Sequence, residues 1–223
     1  MRAPAWGYGV IRRIRNAGLV TILSVGTVYA EPVTIAALGD SLTQGYGLPA
    51  DQGFVPQLSR WLEAKGADVE LINAGVSGDT TAGGLSRIAW TLTDDVDALI
   101  VALGGNDLLR GIDPAVSRAN LEGILQIAGD RDLPVLLIGM DAPPNYGADF
   151  EQAFDVMYPE LSNAFGTLFY PNFLGALADR DDQVATLRDF MQGDGIHPNA
   201  EGVALIVEGL GPEVLKLVSA TSD

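Results

Sequence analysis

Histidine occurs once in these 223 residues, within Asp194-Gly195-Ile196-His197-Pro198-Asn199. Side chains that accept a proton near neutral pH are most often imidazoles, and a working imidazole needs a partner that fixes its tautomer and supports its charged form. Asp194, three residues earlier on a glycine-containing turn, can fold back to be that partner. A lone turn histidine also fits a plainer part, capping the last helix, so other residues must decide. Ser41, in Gly39-Asp40-Ser41-Leu42, offers a hydroxyl nucleophile, although serine at a turn is commonly just a turn former. Acyl transfer also needs donors aimed at a developing oxyanion. Gly78 in Gly75-Val76-Ser77-Gly78-Asp79 lets backbone approach a ligand closely, and Asn106 in Gly104-Gly105-Asn106-Asp107 donates an amide N–H without carrying charge. With the Ser41 N–H they make three candidate donors. Taken singly, Gly78 is equally a loop glycine before a helix capped near Asp79 or Thr80, and Asn106 an Asx turn. Asp79 stands where the nucleophile elbow Gly-x-Ser-x-Gly would close on glycine, which disfavours an ordinary α/β-hydrolase with Ser77 as its serine.

Something must carry these clusters to one place. Short apolar, β-prone runs at residues 33–38, 69–74, 98–103 and 135–140, with a weaker one at 168–170, alternate with amphipathic stretches at 54–65, 80–91, 114–128, 150–164 and 199–218. That alternation is the mark of repeated βα units and a parallel sheet. The strands are almost continuously apolar, as strands covered by helices on both faces are, so the sheet is expected to be doubly wound. Pro114 suits the first turn of its helix behind Asp113 as N-cap. In open parallel sheets ligands bind outside the carboxyl ends of the strands, at a switch in strand order. Each of the first three strands is followed at once by one of the three polar clusters, which converges them on one crevice.

Composition narrows the field. Hydrophobic residues make up 48% of the chain, a globular composition sufficient for one α/β domain, here expected over residues 31–223. Residues 1–30 read as a signal peptide: Arg2, Arg12, Arg13 and Arg15 precede an apolar run at 17–28, no acid occurs before Glu31, and Val28-Tyr29-Ala30 suits cleavage. The run is too short to span a bilayer, which takes about 20 residues. The expected location is therefore periplasmic or secreted, without stable membrane insertion after cleavage. Cysteine is absent, which removes disulfides and thiolates, and a single histidine leaves no histidine-built metal site, so neither metal nor cofactor is expected. Setting aside the four leader arginines leaves nine basic residues against 29 acids, a net charge of about −20. Such a surface repels nucleic acid, and a monomer is expected.

The clusters taken together resemble the SGNH, or GDSL, hydrolase family. The match runs through Ser41 in Gly-Asp-Ser-Leu, Gly78, Asn106 in Gly-Gly-Asn-Asp and His197 in Asp-x-x-His, in family order, over residues 33–217. Within the family the chain looks most like the bacterial acyl-CoA thioesterases, arylesterases and lysophospholipases, through residues 39–47, 73–80, 103–111, 145–147 and 194–199. The resemblance implies a three-layer α/β/α fold with a flavodoxin-like, five-stranded parallel sheet. It also implies a serine esterase of broad taste that hydrolyses small-molecule acyl esters and thioesters through an acyl-enzyme on Ser41, with Asp194 and His197 completing its catalytic set. Asp141 departs from relatives that carry a basic residue just ahead of Pro143, and an acid there favours neutral esters over anionic acyl-CoA.

Leu108, Leu109 and Ile112, with Pro143, Pro144 and Tyr146, are expected walls of an acyl groove, ordinary loop packing being the plainer account. Asp40, Asp79 and Asp107 are read as structural, making turn and cap hydrogen bonds. Activity should fall as pH drops through the range in which a free imidazole protonates, about 6.5. Two rivals stand beside the esterase: a carbohydrate O-deacetylase using the same machinery, and a non-catalytic binding module on the same fold.

Overall fold

The computed structural model describes residues 1–3 and 31–221. The expected signal peptide, apart from its first three residues, lies outside the described residues. From Pro32 onward the described chain forms one compact unit. Its sheet is built from β1 (Val33–Gly39), β2 (Val69–Gly75), β3 (Ala98–Ala102), β4 (Val135–Ile138) and β5 (Leu168–Tyr170), in the order β2-β1-β3-β4-β5 and parallel throughout. This is the flavodoxin-like order. The first crossover runs from β1 to its outer neighbour β2, and the next passes back over β1 to β3. Strand order therefore reverses at β1, and a crevice opens beyond its carboxyl end.

Alternation along the strands divides the core in two. Ala36, Leu38, Leu99, Val101, Val135 and Leu137 face one side, where they pack with Ile88 of α3 (Thr81–Thr91), Leu121, Ile124 and Leu125 of α5 (Pro114–Gly129), and Phe154, Met157 and Leu161 of α6 (Ala148–Phe165). Ile35, Ala37, Ala98, Ile100, Leu136 and Ile138 face the other, against α2 (Phe54–Ala64) and α9 (Ala200–Ala220). Each fully buried Leu, Ile or Phe removes apolar surface from water, worth about 1.5–3 kcal/mol per side chain. Both faces are covered, which is why the strands read as unbroken apolar runs.

Helix starts follow local chemistry. Asp113 caps α5 by accepting from Ala115 N, with Pro114 in the first turn, and Thr80 and Asn199 cap α3 and α9 by accepting from Gly83 N and Gly202 N. Four short helices lie outside the amphipathic stretches of the sequence: α1 (Ser41–Gln44), α4 (Gly105–Leu109), α7 (Gly175–Ala178) and α8 (Gln183–Phe190). Two of them, α1 and α4, begin at the carboxyl ends of β1 and β3, so the nucleophile candidate and Asn106 sit on rigid first turns. Among the described residues no helix is long and apolar enough to cross a membrane.

Candidate active site

Ser41 is the first residue of α1, directly beyond β1. Asp40 caps that turn through Leu42 N at 3.0 Å and is itself 2% exposed. His197 arrives from the far end of the sequence, on the loop between α8 and α9. Gln192 N donates to His197 O at 2.7 Å and Gly195 N to Gln192 O at 3.0 Å, and Gly195 has a φ of 66°, so the loop closes tightly on itself. The Gln192 side-chain amide ties the loop to the turn after α1 by donating to Tyr46 O at 2.8 Å. With the loop so held, His197 Nε2 lies 2.9 Å from Ser41 Oγ.

Asp194 orients the imidazole. One carboxylate oxygen is 2.6 Å from His197 Nδ1, and the other accepts from the backbone N–H groups of Ile196 and His197 at 2.9 and 3.0 Å. The backbone and ring donors of His197, with the Ile196 N–H, favour the ionised carboxylate and hold Asp194 down at about 2. A charged Asp194 favours the tautomer with the proton on Nδ1, in which Nε2 can accept from the serine hydroxyl. The ring of Tyr46 packs on the imidazole at 4.7 Å between centroids, which further restricts its swing.

Across the crevice stand the candidate oxyanion donors. Gly78 has a φ of 83°, a conformation that side chains rarely adopt, and its carbonyl accepts from Arg110 Nη2 at 2.7 Å. Asn106 donates one amide hydrogen to Asp40 Oδ2 at 3.2 Å, which orients the amide and leaves its second hydrogen available. Burial raises the pKa of Asp40, opposed by the donors from Leu42 and Asn106. Asp107 points away from the crevice, accepting from Thr81 N and Oγ1 and from Ser117 Oγ, and so ties α4 to α3 and α5. Asp79 pairs with Arg87 rather than capping α3.

Ser41, Gly78, Asn106 and His197 share a cavity of about 680 Å³. Its walls include Leu108, Leu109, Pro143 and Tyr146, four of the six residues expected there. Ile112 and Pro144 are not among them. The chain turns after α4, with Ile112 N bonded back to Asp107 O at 3.0 Å, and this carries Ile112 off the wall. Pro144 opens the exposed 3-10 turn Pro144–Tyr146, which presents Tyr146 and not the proline. Asp141 is exposed and accepts from Asn172 Nδ2 at 2.6 Å.

A family model for GDSL-like lipases and acylhydrolases matches residues 37–205, a span that holds every one of these side chains. The chain belongs to that family. Esterase TesA of Pseudomonas aeruginosa is 37% identical over 86% of this chain and 92% of its own length. The thioesterase 1/protease 1/lysophospholipase L1 of Escherichia coli is 33% identical over 85% and 86%. The crystal structure of AlinE4, an SGNH-hydrolase family esterase, is 44% identical and superposes with a TM-score of 0.68 over 84% of this chain and 97% of that one.

Within this GDSL-like chain, several wall residues lay beyond sequence reasoning: Leu42, Tyr46, Met140, Leu174, Met191 and Ile196. Tyr46 and Ile196 stand within five residues of Ser41 and His197, a nearness that could have flagged them. Met140 lies two residues beyond β4, at the end of an apolar run in which site and core residues look alike. Nothing in their spacing marks Leu174 and Met191.

Proposed function

We propose that this protein is an exported serine esterase that hydrolyses neutral acyl esters through an acyl-enzyme on Ser41. The observation that carries the reading is the unbroken line from Ser41 Oγ to His197 Nε2 at 2.9 Å and from His197 Nδ1 to Asp194 at 2.6 Å. As Ser41 Oγ attacks the ester carbonyl, its proton passes to His197 Nε2. The N–H groups of Ser41 and Gly78 and the free amide hydrogen of Asn106 bind the oxyanion. The imidazolium then protonates the departing alkoxide, and the acyl group stays on Ser41. Water, deprotonated by the same imidazole, attacks the acyl-enzyme, and the imidazolium returns that proton to Ser41 Oγ as the acyl–Oγ bond breaks and the carboxylic acid leaves.

The walls favour an acyl chain over a sugar acetate, since Leu42, Leu108, Met140, Pro143, Leu174, Met191 and Ile196 offer apolar contact. No lysine or arginine occurs among the described wall residues, and the chain is strongly acidic, so an uncharged ester is preferred to the polyanionic acyl-CoA. Export rests on the amino-terminal pattern of residues 1–30, with cleavage near Ala30. An acyl-length series of p-nitrophenyl esters and acyl-CoAs, run on wild type beside Ser41→Ala, tests the assignment. It predicts faster hydrolysis of medium-chain esters than of acetate or acyl-CoA, abolished in Ser41→Ala. An intact rate in that variant contradicts it.

A further inference from the structure

The proposed chemistry needs a nucleophile just beyond β1 and a donor glycine beyond β2 to keep a fixed separation, and one side chain outside the cavity joins the two. Arg87, in the middle of α3, uses all three guanidinium nitrogens at once. Nε donates to Asp79 Oδ2 at 2.6 Å, Nη1 to Ala74 O at 2.7 Å and Nη2 to Gly39 O at 2.9 Å. Gly39 is the last residue of β1, two before Ser41. Ala74 lies at the end of β2, and Asp79 follows Gly78 directly. The Arg87 and Asp79 side chains are only 22% and 18% exposed, so water competes weakly for these bonds. Gly39 O also accepts Val76 N at 3.0 Å, which starts the turn leading to Gly78. Arg110, on the cap of the helix that carries Asn106, holds the Gly78 carbonyl from the other side.

We propose that Arg87 is a positioning residue for the oxyanion site, setting where the Gly78 N–H stands relative to Ser41 by joining both strand ends to Asp79. The proposal rests on the ester-hydrolase reading of the crevice. A planar fork reaches three splayed acceptors together, whereas a lysine ammonium on a flexible stem does not reproduce that fork. The oxyanion forms only in the transition state, so a misplaced donor slows the chemical step and leaves substrate binding largely alone. Displacements of about 1 Å remote from the reacting atoms can cost about a hundredfold in rate.

The test compares wild type, Arg87→Lys and Arg87→Met on a p-nitrophenyl ester, with competent sites counted by a fluorophosphonate label taken to completion. Expressing kcat per labelled serine removes any loss of folded protein. The account predicts a kcat per site about tenfold lower in Arg87→Lys and about a hundredfold lower in Arg87→Met, with KM within about twofold. The acid limb of the pH profile stays in place, because the His197–Asp194 pair sits on a separate loop. Should Arg87→Met fail to fold, Arg87→Lys decides alone. An Arg87→Lys enzyme within about twofold of wild type per labelled site, or a loss lying wholly in KM, overturns the clamp. Wild type that labels at Ser41 alongside an equally fast Arg87→Lys sinks the clamp only. Wild type that neither labels nor hydrolyses esters sinks the underlying reading as well.

Discussion

The serine hydroxyl is a weak nucleophile until a base takes its proton, so the cost of each site substitution follows from its step. Ser41→Ala removes the proposed attacking atom and should lower kcat by about 10⁴-fold or more while the melting temperature holds. Asp194→Asn keeps the shape but lets the imidazole adopt the wrong tautomer, a loss of about 10³–10⁴ in kcat. Asn106→Ala deletes one of the proposed oxyanion donors, which should cost about 10²–10³ in kcat with KM little changed. The pH dependence has a definite sign. Asp194, at about 2 in the folded protein against an ordinary 3.8, stays ionised across the working range, so it should add no proton of its own to the acid limb of kcat/KM. The depressed carboxyl also stabilises the fold above about pH 3.8, and that contribution is lost as pH falls towards 2. A second proton uptake in the acid limb between pH 5 and 8 would falsify the assignment of Asp194 as a permanently charged partner.

Turns, at the level of elements, decide whether those side chains meet. Gly104, with a φ of 127°, lets β3 turn into α4 beneath Tyr158, whose hydroxyl donates to Leu103 O at 2.9 Å in the buried core. A Cβ at residue 104 would run into that hydroxyl, so Gly104→Ala should displace Asn106 and unfold at markedly lower temperature than wild type. Tyr158→Phe leaves the Leu103 carbonyl unpaired and should cost about 1–3 kcal/mol, read as a melting temperature lower by several degrees. The five strands and five longer helices were legible because apolar periodicity over several turns or residues is a strong signal. The four helices missed are too short to show a period, so nothing in Ser41–Gln44 or Gly105–Leu109 announced a first turn. Ile112 and Pro144 were misplaced for a related cause: which side chain of a loop faces a cavity depends on the path of the turn, and composition does not record it. The site motifs depend less on such turns, since strand ends and the order of the sheet fix where Ser41, Gly78 and Asn106 emerge.

For the whole molecule, charge and fold make separate claims. With 29 acids in the sequence and a formal net charge of −16, like charges crowd the surface. Raising sodium chloride from about 10 mM to about 0.5 M should therefore raise the melting temperature, and a flat or falling trend would show that repulsion does not limit stability. If the leader is removed as proposed, amino-terminal sequencing of the exported protein begins near Glu31, whereas a start at Met1 contradicts cleavage. The most direct measurement of the central claim is mass mapping of the site of fluorophosphonate attachment in wild type and in His197→Ala. The account predicts a single adduct on Ser41 in wild type and a severely slowed reaction in His197→Ala. An adduct on Ser77 or another serine, or an undiminished rate without the imidazole, would contradict it.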